Sequence, residues 1–168
     1  MQLETRWLSS ARVQHAERAI LVILELDVDE SMIPYYRKHS AKQFIRGKPI
    51  HFGFKLCCLN TRLGYLVQCE PYQGFGTQID SDLGLGGLVV VDLLSELSKR
   101  NYFIYVDNYF TSLRLLQKLE GDGVGCTGTI RANRVDKAPL KAAEKMKKEE
   151  RGSYDYRTDV NSGLVVVR

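Results

Sequence analysis

Nothing in this 168-residue chain approaches the length of apolar sequence, roughly 20 residues, that a bilayer-crossing helix requires. The strongest apolar run, Ala19 to Leu24, is followed at once by Glu25, Asp27, Asp29 and Glu30, the wrong flank for a cleaved leader. A soluble protein with no membrane association is therefore expected. Cysteine is scarce. Cys57, Cys58, Cys69 and Cys126 lie in apolar segments without a C-x-x-C or Cys/His spacing, so a zinc site is not expected and reduced, buried core thiols are. His15, His39 and His51 have no ligand or nucleophile partner at a recognisable spacing. Gly74-Phe75-Gly76 and Gly84-Leu85-Gly86-Gly87 fit neither phosphate-loop pattern and read as turn and helix-start glycines. No internal repeat is visible.

Acid is missing where base is abundant. Between Glu30 and Glu70 there is no Asp or Glu, while Arg37, Lys38, Lys42, Arg46, Lys48, Lys55 and Arg62 all carry positive charge. A second window, residues 131 to 151, holds eight Lys/Arg against four Asp/Glu. The net charge is only +4, so the remainder is acidic overall. Segregated charge of this kind suits a polyanion such as DNA, whose phosphates reward clustered cations through counterion release. A pair of solvated faces explains the same pattern.

The chain is 44% hydrophobic and long enough for one ordinary core. Residues 1–18 show no clear period and form a poorly defined lead-in. Ala19 to Asp29 is β-branched and ends in alternating acids, predicting a strand that finishes at the acidic cluster. Ser31 to Pro49, basic and with two prolines, reads as a surface connection. Ile50 to Leu59 and Gly64 to Glu70 form a hairpin. Val90, Leu93, Leu94 and Leu97 recur at helical spacing. Tyr102 to Val106 is a short buried strand. Thr111 or Ser112 caps a helix through Leu119, ended by Gly121. Val124 to Ile130 is another strand, Ala138 to Arg151 a charged helix, and Gly152 to Arg168 a hairpin around Asn161-Ser162-Gly163. This order gives an α/β fold, a mixed sheet with helices on its faces, in which ligands meet the carboxyl ends of strands. Residues 19–135 form the core region, and 136–168 the charged helix and the terminal hairpin.

Asp29 and Asp107 stand where strands are expected to end. Brought together there, two carboxylates repel unless protonated or bridged, and Mg²⁺ is the usual bridge because it prefers oxygen ligands. An Asp at a strand end is also a common turn former or helix cap.

The words around these acids are more specific. V-D-E-S-M at Val28 to Met32, K-Q-F-I-R-G-K-P at Lys42 to Pro49 and G-F-K at Gly53 to Lys55 are followed by Gly64-Tyr65, P-Y-Q-G at Pro71 to Gly74 and Gly76-Thr77. D-N-Y-F-T-S at Asp107 to Ser112 and G-T-I-R-A-N-R at Gly128 to Arg134 complete the series. In this order, over residues 28–134, they resemble the catalytic domain of piggyBac-type transposases.

The resemblance implies a partial RNase H-like fold and DNA cleavage and strand joining by three aspartates holding two Mg²⁺ ions. Asp29 corresponds to the first metal ligand and Asp107 to the second. The third belongs to a G-G-V-D-type stretch beyond an inserted β-rich region. This sequence has no such stretch, and Gly152 to Arg168 resembles the beginning of that insertion. Arg131 and Arg134 match family positions resembling DNA-contacting basic residues, Lys42, Arg46 and Lys48 lie just beyond Asp29, and each can neutralise a phosphate or stand as an ordinary exposed cation; Tyr35, Tyr36, Tyr72 and Tyr109 either stack on bases or pack on the sheet. Duplex DNA, a second copy of the chain or a full-length transposase are the partners implied, and the nucleus the location. The expected function is that of a DNA-binding fragment without cleavage activity by itself. The rival expectations are a nuclease completed by a partner's carboxylate and a relic without a biochemical role.

Overall fold

The structure, a computed structural model, describes residues 25–72, 82–97, 102–135 and 137–168. The lead-in over 1–18 and the apolar run Ala19 to Leu24 lie outside the described residues. The first strand, β1 (Glu25–Pro34), alternates buried Leu26 and Val28 with Asp27 and Asp29, so one face enters the core and the other carries acids. It runs five residues past Asp29, further than its composition suggested. The reason lies in its partner: β3 (Phe52–Thr61) pairs antiparallel with it from Leu26↔Thr61 to Pro34↔Gly53, and that ladder keeps the basic stretch after Asp29 extended. The expected connection over Ser31 to Pro49 therefore contains the end of β1 and a two-residue strand, β2 (Gln43–Phe44), which also pairs with β3.

The expected hairpin is present as β3 and β4 (Leu66–Pro71), with Gly64 in the left-handed region its turn requires. After α1 (Gly84–Ser95), the strand β5 (Phe103–Val106) pairs parallel with β1, from Glu25↔Phe103 to Val28↔Val106. Then α2 (Leu113–Gly121) leads to β6 (Gly125–Gly128), parallel to β5. Ser112, rather than Thr111, caps α2 by accepting from Leu115 N–H. The helix runs through Gly121; the residue that adopts positive φ and lets Val124 N–H close back on the Leu119 carbonyl is Gly123. The order across the main sheet is β2-β3-β1-β5-β6, with β4 also on β3.

Leu26, Val28, Cys57, Leu59, Val67, Ile104 and Val106 turn to one face of this sheet, where Val90 and Leu93 of α1, Leu115 and Leu119 of α2, and Phe110 pack on them. Among the described residues both long helices cover this same face. On the other, Phe103 and Tyr105 remain 39% and 42% exposed. Close approach is demanded at Gly128, where a Cβ would lie 2.3 Å from the Val106 carbonyl oxygen.

The charged helix expected over Ala138 to Arg151 is reduced to α3 (Ala143–Met146). Pro139 lies in that stretch, and the Lys141 backbone is drawn away: its N–H donates to Asp155 at 2.6 Å and its carbonyl accepts from Arg168 at 2.7 Å. These tertiary bonds replace helical ones. The terminal hairpin forms as expected, β7 (Tyr156–Thr158) against β8 (Val165–Val167), as a separate two-stranded sheet. Its turn is built on Asp159, which accepts from Asn161 N–H, Ser162 N–H and the Ser162 hydroxyl.

Candidate functional site

The parallel pairing of β1 with β5 stops at Val28↔Val106, and the next residue on each chain is an aspartate. Asp29 and Asp107 thus each follow the last paired residues of adjoining strands, whose main chains lie about 5 Å apart by the ordinary strand spacing. Alternation puts both on the face of Asp27 and Tyr105, and both are exposed. Asp29 does not end its strand, contrary to expectation; it is the first residue past the parallel pairing.

Local backbone donors hold one oxygen of each carboxylate. Asp29 Oδ1 accepts from Glu30 N–H at 2.7 Å, and Asp107 Oδ1 accepts from Tyr109 N–H at 2.8 Å and Phe110 N–H at 3.4 Å. The Oδ2 atoms have no hydrogen-bond partner among the described residues. Two hard, free carboxylate oxygens on one face suit an oxygen-seeking cation such as Mg²⁺. Among the described residues, however, no three His, Cys, Asp or Glu side chains come together as a metal site. Glu70 lies opposite Cys57 on the core-facing side of the sheet, where burial and the charges of Asp92 and Glu96 push its pKa up, and it does not join the pair. Asp82 is engaged with Arg114 at 2.7 Å, and Asp80 lies outside the described residues.

The basic residues fall into two groups. Lys48 reaches the Glu30 carbonyl at 3.5 Å, immediately after Asp29. Arg131 donates to the Asn108 side chain at 3.1 Å, immediately after Asp107. Arg134 Nη1 donates to the carbonyls of Asn108, Tyr109 and Thr111, at 3.1 to 3.2 Å, so it tethers the loop that carries Asp107. Lys42 and Arg46 flank β2, farther along the sheet. There Lys42 sits 5.0 Å from the Phe52 ring centroid, and Phe44 and Phe52 pair across strands at 4.8 Å.

One residue of the site escaped the sequence reading. Lys55, only 8% exposed, pairs its ammonium with the Glu30 carboxylate and lies 4.0 Å from the Tyr109 ring centroid and 5.2 Å from that of Tyr72. Burial lowers the Lys55 pKa, but the hydrogen bond and charge of Glu30 outweigh it and raise it above the ordinary 10.5. A raised lysine contributes fully below its unfolded value and is lost only as pH climbs through the folded one, so the pair is intact at neutral pH. The signal was a lysine at a core-facing position of an otherwise apolar strand.

The Transposase IS4 family model matches residues 13–168. The chain belongs to that family. Its relatives are piggyBac-derived: the human PiggyBac transposable element-derived protein 3 is 42% identical over 141 residues, 82% of this chain and 24% of that protein. Human PiggyBac transposable element-derived protein 2 is 41% identical over 143 residues, 83% of this chain and 24% of that one. The chain therefore spans about a quarter of the length of the curated relatives it matches. In solved structures, a piggyBac transposase synaptic complex with hairpin DNA matches 86% of this chain and 30% of its own, at a TM-score of 0.69 and 25% identity. This Transposase IS4 member is a piggyBac transposase-derived domain with a mixed α/β fold, consistent with a partial RNase H-like catalytic domain.

Proposed function

We propose that this chain is a DNA-binding part of a piggyBac-type transposase core, carrying two carboxylates of a divalent-metal site and not cleaving DNA by itself. The observation that supports the reading is that Asp29 and Asp107 each directly follow the last paired residues of the β1–β5 ladder, Val28 and Val106, with Lys48 and Arg131 anchored to the residues after them. Asp29 and Asp107 would hold Mg²⁺, which when bound stabilises charge developing on phosphate oxygens. Two carboxylates supply too little charge and too few fixed ligands for a pair of such ions, which is why cleavage alone is not expected. Lys42, Arg46, Lys48 and Arg131 neutralise backbone phosphates, and Arg134 chiefly holds the loop beside them.

Titration of the 168-residue chain with duplex DNA at rising salt tests the binding. Affinity should fall linearly in log–log form, and Lys42→Ala or Lys48→Ala should each lower the slope by about 1. No binding even at low salt ends this reading. The name of the structural neighbour, a synaptic complex with hairpin DNA, supports a second reading in which a second copy or a full-length transposase completes the site. Mn²⁺-dependent nicking that appears only with that addition and vanishes in Asp29→Ala and Asp107→Ala is its test. Under either reading the protein is expected in the nucleus, which imaging of the tagged chain checks.

A further inference from the structure

We propose that Lys55 is a positioning residue for the Asp29–Asp107 pair, a buried cationic brace that grips the residues whose backbone N–H groups hold the two carboxylates. Its functional meaning rests on the metal-site reading above.

Past Val28↔Val106 the ladder between β1 and β5 ends, and the two chains part. β1 continues along β3 to Pro34, whereas the chain after Asp107 turns toward α2. Among the described residues, no backbone hydrogen bond joins β1 beyond Val28 to the Asp107 loop. Beyond the last ladder pair, side chains must add to what the strands fix, and Lys55 is placed to do it. On one side its ammonium takes Glu30, whose N–H donates to Asp29 Oδ1; on the other it lies against the ring of Tyr109, whose N–H donates to Asp107 Oδ1. The same side chain thus grips both donors. Arg131 and Arg134 hold the loop from its far side, through Asn108, Tyr109 and Thr111, and neither bonds to β1.

Chemistry favours lysine here. A compact ammonium can satisfy an anion and face an aromatic ring at once, and a buried cation without both would be costly. Lys55→Met keeps the apolar stem and removes the charge. Groups that orient metal ligands from behind typically change affinity by about 10–100-fold when lost, so Mn²⁺ affinity read by electron paramagnetic resonance should fall at least about tenfold. Amide exchange at Tyr109 and Phe110 should accelerate in the metal-free chain while exchange at Ile104 stays as it was.

The two readouts separate the brace from the reading it rests on. A wild-type chain that takes no Mn²⁺, with exchange at Tyr109 still dependent on Lys55, removes the metal site and leaves the brace. A folded Lys55→Met chain with wild-type exchange at Tyr109 overturns the brace, whatever its Mn²⁺ affinity. Should Lys55→Met not fold, Tyr109→Leu takes its place by removing the ring and keeping the ion pair. Faster exchange at Phe110 then supports the brace, and unchanged exchange there overturns it.

Discussion

The two sheets among the described residues are held together by different physics. In the six-stranded sheet, apolar side chains of β1, β3, β5 and two helices close over one another until Leu59, Val90, Ile104 and Leu115 have no exposed surface. In the β7–β8 hairpin, Val165 and Val167 stay more than half exposed, and order comes from polar bonds at Asp155 and Asp159. Burial couples many residues at once, whereas each polar bond fixes a turn. The acid pair depends on the first kind of order: its register is set by strands that the shared core keeps in place.

The largest test of that contrast is to cut a side chain from each region. Phe110→Ala should cost about 3–5 kcal/mol in urea denaturation, whereas Val165→Ala should stay within roughly 0.5 kcal/mol. Equal losses would break the comparison. Arg134→Ala comes next, at roughly 1–3 kcal/mol, because it strips a donor from carbonyls of the Asp107 loop. Faster amide exchange between Asn108 and Thr111 should accompany it; exchange unchanged there would show that the loop does not need this tether.

Alkaline pH sharpens the contrast further. Burial pushes Cys57, Cys58 and Cys126, all in the main sheet, from an ordinary 9.0 up to about 11. Between these values the folded chain binds more protons than the unfolded one, so stability falls as pH rises through that window. Thermal melts from pH 8 upward should show the main sheet weakening, with disulfide reagents slow at these thiols until it opens. The smallest effect is at the acid end. The Lys141 N–H and Arg157 hold the Asp155 carboxyl below its ordinary 3.8, so this contribution is present above that value and lost as pH falls through the lower folded one. Asp155→Asn should loosen the hairpin amides of Arg157 and Arg168 at neutral pH and leave those of Ile104 untouched.

Much of this was legible in the sequence. The alternation of Leu26 and Val28 with Asp27 and Asp29, the Gly64 turn and the helix begun by Ser112 are local patterns, and local sterics decide them. Their matched motifs marked Asp29 and Asp107. Lys55 could not be read in the same way, because its meaning depends on which residues of β1 and of the Asp107 loop face β3. The bonds of Arg134 to carbonyls 23 to 26 positions earlier in the chain are likewise not written in any local pattern. The helix over Ala138 to Arg151 failed because its thin apolar stripe had little to bury, while Asp155 and Arg168 offered its backbone other partners.

By itself, the order of residues determined the family, the alternating strands and the two acids that follow Val28 and Val106, since these are properties of neighbours along the chain. Only the tertiary structure decided that those acids follow a paired position of two adjoining strands, that β1 outlasts its parallel partner and that a lysine from a third strand touches both Glu30 and Tyr109. Such contacts arise when a common core brings distant segments into register, and no local pattern encodes the distance between them.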